Sequence, residues 1–580
     1  MNRLDHAVIG GLVLVLALIA VAIGVPAFLP SSSANPSAGP SLKPAVPYRE
    51  GAIGRPVSVN PLAARTQVDR DLVALTFSGL LKLGPDGMLI PDLASRWTTD
   101  ESGKTWTFTL RPDTQWHDGK PLTAHDVVFT IDVLRDPTYT GPGAGSWREV
   151  TPTAVDTRTV RFDLTTPLGG FAQLATQPIA PAHLLSGVPV AELIDDAFGR
   201  TPVGSGSFAV VELDDEHAVL EPAAKALTRN GGGSQPGGSA DPPTDAFATS
   251  GPTKRPAIPQ PKLSRLEFRY FDDAATLERA FEAGEVDAIS GLSPAQAGDF
   301  LRTAAGARAL RSPGTTLTTV LLNLRLDHPE LRDPAVRTAL LAALDRPGIV
   351  DTVFGGMGNQ ADSPIPPSSW AFDRLASSPV AHDPAAAAAA LTKAGWTKVD
   401  DRWRPAKAKE PYTIELLGPD AEMNPTLNAI AKRVAADWEA LGFTVTLVEI
   451  DPGSSLTERL REGKFSAAVL DISIGLDPDL YPLLASSQTR SGGLNLIGLQ
   501  DPTLDGLLSA ARKPGDVVAR KAAYTALQKQ LTTSQFVLPL AFADEVVVAG
   551  NHVRDVVVQP VGDPSDRFYD VLTWRLANDR

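Results

Sequence analysis

Leu266-Glu267-Phe268-Arg269-Tyr270 alternates apolar and polar residues, and the chain then passes through Asp273, Leu277, Ala280, Phe281 and Gly284 into Val286-Asp287-Ala288-Ile289. The first stretch has the period of two that marks a half-buried strand. Asp273 is placed to cap a helix, Leu277, Ala280 and Phe281 fall on one helical face, and Gly284 is a stop signal. Residues 286–289 then return to strand. Strand, helix, strand is a βαβ unit, so the expected fold class is α/β.

The same grammar runs outward in both directions. Trp106, Phe108 and Leu110 alternate with Thr105, Thr107 and Thr109, and Val160, Phe162 and Leu164 repeat the pattern, so this earlier region is strand-rich. Later, Asp333-Pro334 and Asp383-Pro384 each pair a cap with a first-turn proline. Leu427, Ile430, Val434, Trp438 and Leu441 line a long amphipathic helix stopped by Gly442, and Phe443, Val445 and Leu447 alternate as a strand. Residues 516–533 read as a helix with Tyr524, Leu527 and Leu531 inward, and 536–542 as a short buried strand.

Three segments stand outside this grammar. Residues 7–29 form an uncharged apolar run behind Arg3, long enough to cross a bilayer as a helix and longer than the core of a cleavable signal. The run is read as an uncleaved anchor with the rest of the chain on the extracytoplasmic side. Cleavage near Ser33-Ala34, giving a secreted protein, is the alternative. Residues 30–47, rich in Ser, Pro, Ala and Gly, read as a linker. Residues 223–261, with Gly231-Gly232-Gly233-Ser234, Gly237-Gly238-Ser239 and many prolines, read as a disordered loop inserted into a folded lobe.

The chain has 580 residues, room for about three or four domains. Its net charge of −14 and the lack of a Lys/Arg cluster speak against nucleic acid. With no cysteine there is no disulfide, thiolate metal site, cysteine nucleophile or lipid-modified N-terminal cysteine. Gly204-Ser205-Gly206 lacks the frame of a nucleophile elbow, and no phosphate-cradling or dinucleotide-binding glycine motif occurs. The eight histidines form no metal-ligand pair, and His117, in Trp116-His117-Asp118-Gly119, reads as part of a turn. No catalytic residue, metal site or cofactor is expected.

The residues best suited to a ligand follow the apolar run 467–470. There Asp471-Ile472-Ser473-Ile474-Gly475-Leu476-Asp477-Pro478-Asp479-Leu480-Tyr481 concentrates carboxylates in a loop behind a strand, a place for a ligand cation. Asp477 is the first candidate, with Asp471 and Asp479 beside it and Tyr481 offering an aromatic face. The competing reading makes Asp477 the cap of a short helix begun by Pro478, with Asp479 in its first turn. Asp345-Arg346 reads as a structural ion pair.

Several blocks occur in a recognisable order. They begin with Leu75-Thr76-Phe77-Ser78-Gly79-Leu80-Leu81, Pro91-Asp92-Leu93-Ala94 with Trp97, and Gly103-Lys104-Thr105-Trp106-Thr107-Phe108-Thr109-Leu110-Arg111. Trp116-His117-Asp118-Gly119-Lys120-Pro121-Leu122-Thr123-Ala124-His125-Asp126-Val127-Val128-Phe129-Thr130 completes the string. Later come Gly284-Glu285-Val286-Asp287, Val336-Arg337-Thr338-Ala339-Leu340, Ala394-Gly395-Trp396, Asp477-Pro478-Asp479-Leu480-Tyr481, Gly493-Leu494-Asn495 and Pro539-Leu540. In these blocks the chain resembles the family-5 bacterial extracellular solute-binding proteins, which include oligopeptide-, dipeptide- and nickel-binding receptors. The resemblance covers residues 51–580.

The resemblance implies a two-lobed periplasmic-binding-protein-like fold: two α/β lobes joined by a hinge, with an extra strand-rich subdomain in the first. The chain would divide into an anchor (1–30), a linker (31–50), a first lobe (51–310 plus 541–580) and a second lobe (311–540). Within the first lobe the subdomain would take about 76–200. The function implied is that of a receptor, expected as a monomer and not an enzyme, that captures a peptide or similar small solute between its lobes. It would deliver that solute to the permease subunits of an ABC importer. A membrane-anchored sensor or structural protein reusing the fold is the alternative, and a hydrolase a remote one. The expected ligand set is Asp477, Asp479, Tyr481, Asp471 and Asn495. Peptide-binding members hold the ligand ammonium with an aspartate shortly after a Gly-Trp. Here the stretch is Ser473-Ile474-Gly475-Leu476, without the tryptophan, so a peptide ligand follows from the family and not from these residues.

Overall fold

The computed structural model describes residues 47–84, 87–143, 145–224, 261–451, 456–490, 493–513 and 517–577. The apolar run 7–29 lies outside them, as does all but the edges of the linker and of the 223–261 insertion. Among the described residues no helix is long and apolar enough to cross a membrane.

The βαβ unit forms from strand Leu266–Phe271, helix Ala274–Glu282 and strand Ala288–Ser290, with the Asp273 side chain accepting from the Thr276 N–H at the helix start. Tyr48–Ile53 inserts between the two strands, parallel to both. The linker expected to reach residue 50 therefore ends sooner, because Tyr48 and Glu50 are already fully buried in the sheet. Among the described residues the sheet has eleven strands, ten in one row and Gly358–Gln360 paired beside Val537–Gly550. Thr444–Ile450, Thr413–Pro419 and Ala467–Ser473 make one flank. Ala288–Ser290, Tyr48–Ile53, Leu266–Phe271, His217–Pro222 and Phe208–Leu213 make the other. Ala307–Leu322 and Val537–Gly550 run antiparallel between the flanks. The reading of 536–542 as a short strand catches only the first part of Val537–Gly550, which continues into the other flank.

These two long strands connect two separate cores. Leu340, Trp438, Val469, Tyr524 and Leu540 belong to one, and Tyr48, Phe108, Phe162, Phe268 and Trp574 to the other. Between them the strand register breaks from Pro313 to Leu317. Gly314 sits in this break so close to the Ala543 carbonyl that a Cβ would clash with it. Val561, returning from the C-terminal segment, donates its N–H to the Pro313 carbonyl at 3.0 Å and accepts from Thr315 Oγ1 at 3.3 Å. The divisions expected at 310 and 540 fall inside strands that both cores share.

The extra subdomain is a four-stranded antiparallel sheet, ordered Ala94–Thr99, Thr105–Leu110, Thr159–Leu164, Val150–Ala154. Its inward aromatics, Trp106, Phe108, Trp147 and Phe162, surround Phe171 at centroid distances of 5.3–6.4 Å. Phe171 thereby fixes the loop just before it. The Asp333 and Asp383 caps form as expected. Asp345 and Arg346 do not pair with each other. Asp345 binds Arg433 at 2.6 Å and caps its helix through Gly348, while Arg346 is spent on the carbonyls of Ala361, Val380 and Pro539 and on Asp362.

Candidate functional site at the hinge and the closing seam

The acidic stretch is divided between two roles. Asp471 is not in a loop: strand Ala467–Ser473 carries it, paired opposite Thr318, whose Oγ1 donates to it at 2.6 Å. Asp477 is no helix cap either. It forms a two-pronged ion pair with Arg520, both contacts at 2.7 Å, and the Tyr524 hydroxyl lies 3.4 Å away. Arg520 in turn lies over the Trp370 ring at 4.7 Å. Asp479 holds Arg512 at 2.8 Å and accepts the Tyr481 N–H at 3.2 Å. The Arg512 guanidinium covers one face of the Tyr481 ring at 4.4 Å. Asn495 is buried, its amide donating to the carbonyls of Leu484, Ala485 and Leu499 and accepting from the Leu499 N–H. Its amide hydrogens are thus spent on holding the loop.

The paired arginines were not visible in the local pattern, since they arrive from 33 and 43 residues downstream. With Arg520 opposite, Asp477 presents little net charge. Asp477→Asn should therefore leave the affinity for a cation unchanged and lower stability by about 2 kcal/mol, because Arg520 loses its partner in a largely buried position. Thermal melts and titration with n-butylammonium read both quantities. A tenfold loss of affinity at unchanged stability would return Asp477 to the ligand set.

This stretch meets the other core. The Gly169 N–H, in the loop fixed by Phe171, donates to the Arg512 carbonyl at 2.7 Å. A Cβ on Gly169 would lie 2.6 Å from the Lys513 carbonyl oxygen, and one on Gly170 would lie 2.9 Å from the Asp477 carboxylate. The two cores are thus drawn together at a glycine seam, in addition to the shared strands.

Asp471 is open to water, yet burial pushes its carboxyl pKa up, against the Thr318 hydrogen bond. On the other side of the hinge is a cavity of about 100 Å³. It lies where strands Tyr48–Ile53 and Ala288–Ser290 end, the position favoured for ligands in open α/β sheets. Helix Gln67–Thr76, the crossover strands at Ser312 and Glu545, and the C-terminal Gln559 and Arg567 enclose it. Arg567 binds Asp71 with both prongs at 2.7 Å and Glu50 at 2.8 Å, and the Tyr48 hydroxyl donates to Glu50 at 2.7 Å. Burial works against the Arg567 charge, but Asp71 and Glu50 outweigh it and hold its pKa above the ordinary arginine value. Burial also pushes the Asp71 carboxyl up, with Arg567 pulling it back.

Asp471 and Glu545 share one face of the sheet. Asp471 pairs across Thr318 with Ala541, and Glu545 stands four residues beyond Ala541 on the same strand. Strand spacing and rise put them on the order of 15 Å apart, with the hinge between them. Nothing local in the sequence points to Glu545, which lies beyond the apolar run 536–542.

The profile of the bacterial extracellular solute-binding proteins, family 5 Middle, matches residues 88–493. The nickel-binding periplasmic protein of Escherichia coli is 25% identical over 528 residues, 87% of this chain and 91% of the relative. The oligopeptide-binding protein AppA of Bacillus subtilis is 24% identical over 537 residues, 91% of each chain. The structure of that AppA in complex with a nonapeptide superposes with a TM-score of 0.67 at 22% identity, over 92% of this chain and 100% of that one. HbpA2 of Haemophilus parasuis superposes with a TM-score of 0.72 at 21% identity, over the same shares. The two-lobed fold read from the sequence is that of these proteins, and the chain belongs to the bacterial extracellular solute-binding proteins of family 5.

Proposed function

We propose that this chain is an extracytoplasmic receptor that closes its two lobes over a small peptide or comparable organic solute and delivers it to the permease subunits of an ABC importer. The observation that carries the proposal is the pairing of a hinge with a latch. Two strands with a broken register join the cores, and a rigidly backed Gly169-Gly170 loop seats on Arg512 and Asp477 opposite. Domain closure about such a hinge is an established way of trapping a ligand. The division of the lobes belongs at the register break, close to 310 and 540. Asp471 and Glu545 flank the hinge, and their separation suits an extended solute of about four or five residues. Relatives that carry the names of peptide- and nickel-binding proteins support a transport receptor over a sensor or a hydrolase. The run 7–29 would hold the receptor, as a monomer, to the outer face of the membrane.

Native mass spectrometry of the protein taken from the membrane fraction tests both parts. The expected spectrum shows one chain that includes residues 1–30 and carries one bound organic solute. A mass beginning near Asn35 removes the anchor. A chain that is empty in every preparation, and that retains no member of a peptide mixture, removes the receptor.

A further inference from the structure

We propose that the hinge cavity is a subsite for a cationic head group on an aliphatic stem, an alkylammonium or alkylguanidinium, held by Glu545 with Gln559 and Tyr569. The assignment deepens the receptor reading and rests on it only in taking this cation to be part of the transported solute.

Three observations converge. The first is an excess of carboxylate. Arg567 is committed to Glu50 and Asp71, while no hydrogen bond or ion pair among the described residues holds the Glu545 side chain, which lines the same cavity. The second is a buried amide with nothing to bind. Gln559 is only 4% exposed and lines the cavity, yet among the described residues neither its Nε2 nor its Oε1 has a partner, and the buried Tyr569 hydroxyl has none. Leaving such atoms unpaired is costly, so a site that keeps them is built for a guest that bonds to them. The third is the shape of the lining. Val557 and Val558 line the cavity and are about half exposed, so its mouth opens beside them, and Leu310 and Val547 continue the apolar wall inward. An aliphatic stem fits that wall, and a charge-assisted hydrogen bond to Glu545 at its end supplies the selectivity.

The charged surroundings of Glu545 predict how binding responds to pH. Burial and then the Asp563 carboxylate push its pKa up to about 7, Arg567 opposes them, and Asp71 and Asp544 add to the rise. A cation must displace the proton from this carboxyl. Affinity should therefore rise about tenfold from pH 6 to pH 8, following the ionised fraction.

The probes are n-butylammonium, n-butyrate and n-butanol, equal in length and differing in charge, titrated calorimetrically into the full chain at pH 6, 7 and 8. The expected result is binding of n-butylammonium alone, tightening with pH. Glu545→Gln should weaken it at least tenfold and remove the pH dependence. Gln559→Leu should weaken it several-fold while raising the melting temperature, a combination that a merely structural amide would not give. The proposal is overturned if none of the probes binds, if butyrate binds as well as butylammonium, or if Glu545→Gln binds like the parent. Failure of the receptor reading looks different: n-butylammonium still binds, but no solute accompanies the purified protein.

Discussion

Replacing Arg567 with leucine is expected to cost about 3–5 kcal/mol of stability at pH 7–8 and to lower the melting temperature by roughly 10 °C. Arg567 sits in the turn segment Pro564–Thr573 and reaches back across the whole chain to Glu50 and Asp71, side chains only 0% and 6% exposed. Its fork spans three carboxylate oxygens at 2.7–2.8 Å. Leucine fills part of the volume but leaves two buried carboxylates without a counter-charge. In the variant the Asp71 pKa must climb further, because burial no longer has Arg567 as its opponent. A carboxyl whose folded-state pKa is raised loses stability as pH rises, so the deficit should shrink as pH falls toward the ordinary carboxylate range, where Asp71 becomes protonated. Arg567→Lys should recover only part of the loss, since one ammonium cannot reproduce a planar fork across two partners. Melts of the parent and both variants from pH 4.5 to 8 measure this. A loss under about 1 kcal/mol, flat in pH, would show that the network contributes little.

That network also shows where sequence reading stops. Caps and periods are local, so Asp273, Asp333, Asp383, the Gly442 stop and the alternation of 105–110 were legible, and with them the α/β class. Tyr48–Ile53 was not, although it is an interior strand of the sheet, paired on both sides. Its sequence carries Arg49 and Glu50, which look like linker residues until their partners Asp287 and Arg567 arrive from 238 and 517 positions away. The candidate site divides in the same manner. The carboxylates of 471–481 announced themselves, but whether each was free depended on Thr318, Arg512 and Arg520. Those partners neutralise Asp477 and Asp479 and leave Asp471 open to water. Gln559 and Glu545 carry no local signature, because an unpaired amide is defined only by what three dimensions fail to bring near it.

The second large effect concerns closure. Gly169→Val is expected to weaken the affinity for the bound solute about a hundredfold while leaving the melting temperature of the solute-free protein within about 2 °C. In the closed arrangement a Cβ at this position would stand 2.6 Å from the Lys513 carbonyl oxygen, well inside contact distance. That oxygen belongs to the backbone of the opposite lobe and cannot swing away, while Phe171, locked in its aromatic cluster, keeps the loop from retreating. The lobes must then part, with loss of the Gly169–Arg512 hydrogen bond. A cost of about 3 kcal/mol to the closed state corresponds to that hundredfold weakening. The open state meets no clash, which is why stability should hold. Gly170→Ala should act in the same direction but less strongly, since its obstacle is the Asp477 side chain, which can shift slightly within its grip on Arg520. Gly187→Ala, where a Cβ meets open space, serves as the control. Small-angle scattering with and without the solute reads the closure directly. The parent and Gly187→Ala should contract on binding and Gly169→Val should not; contraction of Gly169→Val to the parent's dimensions would show that the seam is a resting contact and not the latch.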